Sequence, residues 1–317
     1  MNLNAHSKNK SDICKTTRLN SLTLRKQAMF FYRLLGKLPL SVLYGLASSV
    51  RFIFNYMLAY RKKVIEANLK NSFPTKSDAE IRTLRNKFYG YLTDQLVEFF
   101  YGVRISPAEM IQRMRFVNEE IITSHLNNNQ PVVLVAGHQG NWEWAIHRLG
   151  LSGNAYDVVY QRLNNKDFNE FTMEVRSRFQ GVTLLEKRES IVASRERKDI
   201  PRAICLAADQ APQKPESAYW TTFLNQDTAF FTGMERFARD YNYPVIFVEL
   251  IRTSRGEYAM SFESLASPET YDKMEKGEII ERFARRLEKS IIAYPDQYLW
   301  SHRRWKHTKP AEIHIKW

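Results

Sequence analysis

A chain of 317 residues with 44% hydrophobic and 13% aromatic side chains has apolar material for a large packed core, which excludes a disordered polymer. Its 47 Lys and Arg against 34 Asp and Glu leave a formal charge of +13, so the favoured partners are anionic: nucleic acid, lipid headgroups, phosphorylated substrates or acidic proteins. Cys14 and Cys205 are its 2 cysteines, which excludes a disulfide framework and a cysteine zinc site and fits a reducing, cytoplasm-facing location.

Residues 1–27 carry Lys8, Lys10, Lys15, Arg18, Arg25 and Lys26 with the single acid Asp12. They show no apolar period and no signal-peptide core, and read as a flexible basic arm. From 28 to 60 the character changes. Phe30, Phe31, Leu34 and Leu35 lead into an uncharged run from Leu38 to Val50, followed by Phe52 to Tyr60. Arg33, Lys37 and Arg51 interrupt it, and the uncharged run is short of the roughly 18 to 20 residues a spanning helix needs. This predicts a membrane-associated helical segment lying in one leaflet, with a buried core helix as the alternative.

Residues 61–317 read as one α/β domain. Helices are expected over 61–74, stopped by Pro74, over 77–95 behind a Ser77-Asp78-Glu80 start, and over 118–129. Val132 to Ala136 is a continuous β-branched run, expected to be a strand buried on both faces. Beyond it the pattern alternates: strand 157–160, helix 167–180, strand 182–185, helix 190–197, strand 203–208, helix 231–241, strands 245–250 and 257–263, and helix 279–294. Such alternation predicts an α/β fold with a mostly parallel central sheet flanked by helices.

The stretch 131–144 organises the rest. Gly137 ends the central strand, His138 follows it, Gln139-Gly140 turns, and Asn141 caps a helix that carries Glu143 in its first turn. Open α/β sheets keep their chemistry in the crevice at the carboxyl ends of strands. Glu143, folded back across the junction, is expected to accept a hydrogen bond from one imidazole nitrogen and leave the other as a base. The same residues also suit a capped helix whose acid serves the macrodipole. Asp209-Gln210, after strand 203–208, reads either as a turn cap or as part of the site. The chain has no nucleophile elbow, P-loop, dinucleotide fingerprint or zincin motif, so a proton taken by His138 has to come from a bound hydroxyl or water.

Gly137-His138-Gln139-Gly140-Asn141-Trp142-Glu143 resembles the His-x4-Asp/Glu block of glycerolipid acyltransferases, in the variant of the late acyltransferases of lipid A biosynthesis. Asn68-Leu69 with Ser72-Phe73-Pro74, Asp209-Gln210, Thr228 to Gly233 and Tyr298 to Lys306 are similar to further blocks of that family, in the same order. Arg176 and Arg178 match its paired-arginine helix. One departure is Gln161 after Tyr160, with the basic residue displaced to Arg162.

The resemblance implies a membrane-bound O-acyltransferase. It implies that His138 takes the proton of an acceptor hydroxyl, that this oxygen attacks an acyl carrier protein thioester, and that Glu143 supports the imidazolium, with no acyl-enzyme. It further implies an oxyanion site at Gly140 and Asn141, a supporting Asp209, and acceptor contacts from Arg162, Arg176, Arg178, Thr232, Arg303 and Arg304. Neither metal nor other cofactor is expected. The partners expected are acyl carrier protein, a phosphorylated glycolipid (a lipid A precursor) and an anionic membrane surface, at the cytoplasmic face of a bacterial inner membrane. Two alternatives stand beside this: the same chemistry on another glycolipid or lysolipid, and a basic nucleic-acid-binding protein using the aromatic, Arg-rich segment 298–306.

Overall fold

The computed structural model describes residues 27–58, 60–315 and 317. The basic arm expected over 1–27 lies, except for Gln27, outside them. Helices α1 (Gln27–Gly36), α2 (Leu40–Phe52), α3 (Lys62–Ser72) and α4 (Asp78–Tyr101) come first, with a π-helical turn at Ile53–Met57 closing α2. Then follow α5 (Pro107–Arg113), β1 (Met114–Phe116), α6 (Glu120–Asn127), β2 (Val132–Ala136), α7 (Trp142–Gly150), β3 (Tyr156–Tyr160) and α8 (Lys166–Arg176). The chain continues through β4 (Val182–Glu186), α9 (Ser190–Glu196), β5 (Ala203–Ala207), β6 (Tyr219–Phe223), β7 (Gln226–Phe230), α10 (Gly233–Tyr241), β8 (Val245–Ser254), β9 (Glu257–Ala266) and α11 (Glu278–Ala293).

The main sheet has 7 strands in the order β1-β9-β8-β2-β5-β3-β4. Strands β8, β2, β5, β3 and β4 run parallel, while β9 turns back against β8 and β1 pairs parallel to β9. The fold is therefore α/β with a mostly parallel central sheet between helices, as the alternation predicts. The chain leaves β5 on one side of β2 and returns as β8 on the other, so β2 is the strand about which the sheet is wound.

β2 is buried as its composition requires. Val133 and Val135 face a core built with α3, α4, α10 and α11, and Val132 and Leu134 face a second core with α2, α5 and α7. All four are at most 2% exposed. Burial of such side chains is worth about 1.5–3 kcal/mol each, so this short strand fixes the sheet between its two helical layers.

The structure adds α5 and β1, ends the helix expected over 167–180 at Arg176, lengthens the two strands β8 and β9, and differs from the sequence reading in two larger pieces. The segment before α10 is a two-stranded hairpin, β6–β7, turned by Leu224 and Asn225 with φ of 49° and 62°; consequently α10 begins at Gly233 rather than at Phe231. The helix expected over 77–95 runs on to Tyr101, started by a full capping box between Ser77 and Glu80.

Among the described residues no single helix is long and apolar enough to cross a membrane. The α1 helix and the helical stretch Leu40–Asn55 meet at a bend of 114°. α2 packs Leu40, Leu43 and Ala47 inward while Val42, Leu46 and Phe52 point outward, and α1 exposes Phe30, Phe31 and Leu34.

An ion pair lies wholly inside, with a third, partly exposed charge beside it. Asp157 on β3 and Arg202 before β5 are both 0% exposed; Asp157 accepts from Arg202 Nε at 2.6 Å and pairs with Arg197 at 2.9 Å. Breaking such a buried pair from one side leaves an uncompensated guanidinium. Asp157→Ala is therefore expected to destabilise the fold by about 3–5 kcal/mol, read from urea denaturation monitored by circular dichroism.

Candidate functional site

Two neighbouring strands build the site. β2 and β5 pair in parallel register with Ala136 opposite Ala207, and the Ala208 N–H donates to the Ala136 carbonyl at 3.0 Å. Equal steps beyond that register stand His138 and Asp209. The Asp209 carboxylate grips the histidine twice: Oδ2 accepts the His138 backbone N–H at 2.9 Å, and Oδ1 bonds Nδ1 at 2.7 Å. With the carboxylate ionised, Nδ1 carries the proton and Nε2 keeps its lone pair. That lone pair faces the Gln210 side-chain amide at 3.2 Å. The Trp142 ring stands edge-on to the imidazole, with centroids 5.2 Å apart.

The electrostatics follow from burial and charge. Burial disfavours the imidazolium, yet the Asp209 carboxylate, assisted by Glu143, outweighs it and raises the His138 pKa above its ordinary 6.5. Burial acts against the Asp209 carboxylate too, but the pairing with His138 holds its pKa well below the usual range. His302 is the second imidazole of this neighbourhood, where its Nε2 accepts the Ala211 N–H at 3.4 Å. Burial foremost, with Arg304 and His138 nearby, depresses its pKa to about 4, so it is neutral.

Glu143 does not hold the imidazole. Both its oxygens are taken by Arg176 on α8, at 2.8 Å from Nε and 2.6 Å from Nη2. This bidentate pair outweighs burial and lowers the Glu143 pKa. The sequence-based expectation of a Glu143–imidazole hydrogen bond is corrected here: Asp209 orients the ring, and Glu143 acts on it through space as a fixed negative charge. One turn further along α7, His147 Nε2 lies 2.7 Å from the Val175 carbonyl, so α7 grips α8 next to Arg176.

The turn between His138 and α7 is equally constrained. Gly140 has φ +61°, and a Cβ there would lie 2.5 Å from Leu250 atoms, so only glycine fits. Its carbonyl is held by Tyr91 Oη at 2.5 Å and by the Gln95 amide. Asn141 caps α7 as expected, its Oδ1 accepting from the Trp144 N–H at 2.9 Å. The C-terminal segment closes over this loop. The Leu299 N–H donates to the His138 carbonyl at 3.1 Å, and Asn68 Nδ2 on α3 bonds the carbonyls of Trp300 and His302 at 2.8 and 2.9 Å. Two separated sequence blocks, Asn68 and residues 298–306, thus meet beneath the site.

The remaining arginines separate by environment. Arg178 donates to the Gly102 and Ile105 carbonyls, bracing the end of α4. Arg304 is 3% exposed, donates to the Ala229 carbonyl at 2.7 Å and lies over the Phe230 ring at 4.6 Å. Both guanidiniums thus donate to backbone carbonyls, Arg304 from a buried position and Arg178 from a half-buried one. Arg162 is exposed and pairs with Glu186 at 2.8 Å, Arg303 is exposed, and Thr232 is half-buried at the start of α10 with no side-chain capping bond. A groove lined by Tyr160, Arg162, Leu163, Lys166, Asn169, Glu170 and Met173 lies at the carboxyl end of β3. In the segment 298–306 the Tyr298 and Trp300 rings are buried (2% and 0% exposed) and Trp305 is half-buried, so the two innermost rings offer no surface on which bases stack.

A family model for the bacterial lipid A biosynthesis acyltransferases matches residues 18–307. No curated protein matches the chain. Among solved structures, the crystal structure of the 1-acyl-sn-glycerophosphate (LPA) acyltransferase PlsC from Thermotoga maritima is similar over 84% of this chain and 97% of that one, at 13% identity and a TM-score of 0.33.

The histidine pairing has a direct readout. In an NMR titration the His138 imidazole is expected to lose its proton above pH 6.5, and Asp209→Asn to move that transition to lower pH, because the charge favouring the imidazolium is gone. Glu143→Gln shifts it in the same direction by less, since the Glu143 contribution is through-space and partly neutralised by Arg176.

Proposed function

We propose that this chain, which belongs to the bacterial lipid A biosynthesis acyltransferase family, moves a fatty acyl group from an acyl carrier protein thioester to a hydroxyl of a phosphorylated glycolipid. The observation that carries this reading is the His138–Asp209 pair: a histidine with its Nδ1 proton fixed and its Nε2 lone pair met by the Gln210 amide, at the carboxyl end of a parallel sheet. Such an arrangement makes a general base.

The acceptor hydroxyl displaces the Gln210 amide from Nε2 and gives its proton there. The oxygen attacks the thioester carbonyl and forms the new C–O bond while the C=O pair moves to oxygen. N–H groups around Gly140 and Asn141, at the N-terminus of α7, receive that negative charge. Collapse breaks the C–S bond, and the departing sulfur takes the proton from the imidazolium, returning His138 to its starting form. Asp209 and the fixed charge of Glu143 stabilise the imidazolium between these steps. The nucleophile belongs to the acceptor; Cys205, the cysteine among the described residues, has its thiol held protonated by burial and is no candidate for that role.

The acceptor phosphates find Arg162, Lys166 and Arg303 at the surface. The +13 charge favours an acidic carrier and an anionic leaflet. The outward apolar residues of α1 and α2, bordered by Arg33 and Lys37, would lie in the interface of the cytoplasmic leaflet of an inner membrane.

Incubation with acyl carrier protein thioester and a tetra-acylated lipid A precursor, followed by mass analysis, is expected to show one added acyl chain for the wild type. His138→Ala is expected to lower the rate by about 10²–10⁴-fold while leaving the melting temperature near that of the wild type. Equal activity of the two proteins would overturn the assignment, and transfer to a lysophospholipid but not to the precursor would favour the other lipid acceptor. Replacing Phe30, Phe31 and Leu34 together by serine is expected to lower sedimentation with anionic vesicles at least about tenfold, since each buried apolar side chain contributes about 1.5–3 kcal/mol.

A further inference from the structure

The buried carboxyl of Glu98, on the stretch of α4 beyond the helix read from the sequence, is 0% exposed and lies where α2, α4, α7 and β9 meet. Its Oε2 accepts from Asn141 Nδ2 at 2.7 Å and from Tyr258 Oη at 2.5 Å, and its Oε1 accepts from Tyr44 Oη at 2.7 Å. Its own backbone carbonyl accepts from Trp144 Nε1 at 2.9 Å. Burial is the main influence on this carboxyl and raises its pKa, while the three donors oppose that rise. The next residues toward the N-terminus on the same helical face, Gln95 and Tyr91, hold the Gly140 carbonyl. One face of α4 therefore holds the Gly140–Asn141 turn at consecutive points.

We propose that Glu98 is a positioning residue for acyl transfer, holding Asn141 and through it the N–H groups at the start of α7 where the tetrahedral oxyanion forms. The inference rests on the acyltransferase reading above. A donor array of this kind acts only if it is aimed before charge develops, so its supports matter as much as the donors. The fixing is not a generic consequence of packing. A hydrophobic residue at position 98 would leave the Asn141 amide, the Tyr258 hydroxyl and the Tyr44 hydroxyl without an acceptor in the interior. Tyr44 also lies under the Arg255 guanidinium, 4.2 Å from its ring, and against Gly256 at the tip of the β8–β9 hairpin. The helix with the apolar outer face is thereby tied to the catalytic turn through a single carboxyl group.

A reciprocal exchange tests this. Asn141→Asp retains the helix cap but turns an oxygen toward Glu98 Oε2, so two acceptors face each other. Glu98→Gln supplies an amide that donates to that new oxygen. Asn141→Asp alone is expected to lower kcat about 10²-fold or more with the KM of donor and acceptor changed less than about threefold. Adding Glu98→Gln is expected to recover at least about tenfold of that loss, with melting temperatures of the four proteins non-additive in the same sense. A double variant with kcat no higher than Asn141→Asp overturns the inference. Recovery of the melting temperature without recovery of kcat also overturns it, by reducing the contact to a structural one. A wild-type chain that transfers no acyl group to any lipid would instead overturn the reading of function on which the inference rests.

Discussion

The pairing of β2 with β5 is the constraint on which this protein depends. Parallel register sets Ala136 beside Ala207, and the chain leaves both strands at the same level, so His138 and Asp209 emerge together and close two hydrogen bonds. A base that must be neutral at rest and charged in passing needs a partner fixed before the proton arrives. Here the sheet supplies that fixity, and the carboxylate needs no loop to carry it. Everything else packs so as to hold those strands: both faces of β2 are buried, and the buried Asp157–Arg202 pair locks β3 against the approach to β5.

Around this pair the charges are arranged in opposition. Asp209 and Glu143 both favour the imidazolium, Arg176 neutralises Glu143, and Arg304 lies near Asp209. The net effect leaves His138 more basic than an isolated imidazole despite its burial, which suits a group that accepts a proton from an alcohol. His302, by contrast, is kept neutral, so it adds no positive charge beside the base.

Much of this was legible in the residues. The β-branched run 132–136 declared a strand buried on both faces, Asn141 declared a cap, and the strand–helix alternation declared the layered sheet; each rests on local chemistry alone. Which carboxylate bonds the imidazole was not legible. Asp209 read as a turn cap or a supporting site residue, and Glu143, near His138 in sequence, was expected to hold the ring, whereas the adjacency of β5 to β2 arises from a strand order that skips β3 and β4. The matching positions of His138 and Asp209 just past two apolar runs were the signal that could have found the pair. The surroundings of the arginines were not legible for a related reason. Arg178 and Arg304 were expected as acceptor contacts, and a long side chain whose guanidinium donates to interior carbonyls looks the same in a sequence as one that meets solvent. Glu98 gave no signal, since its meaning comes from three hydroxyl and amide donors contributed by distant elements.

The His138 and Asp209 side chains are 71 positions apart, with the strands β3, β4 and β5 and the helices α7, α8 and α9 between them. Since their geometry is transmitted through the β2–β5 hydrogen bonds, the loops and helices between those two strands are not needed to hold the two side chains in register. Loops in that interval, including the one around Arg162 at the mouth of the β3 groove, can lengthen, shorten or change charge without separating His138 from Asp209. Under the proposed reaction, such a scaffold lets the choice of acceptor drift over evolutionary time while the base stays where it is.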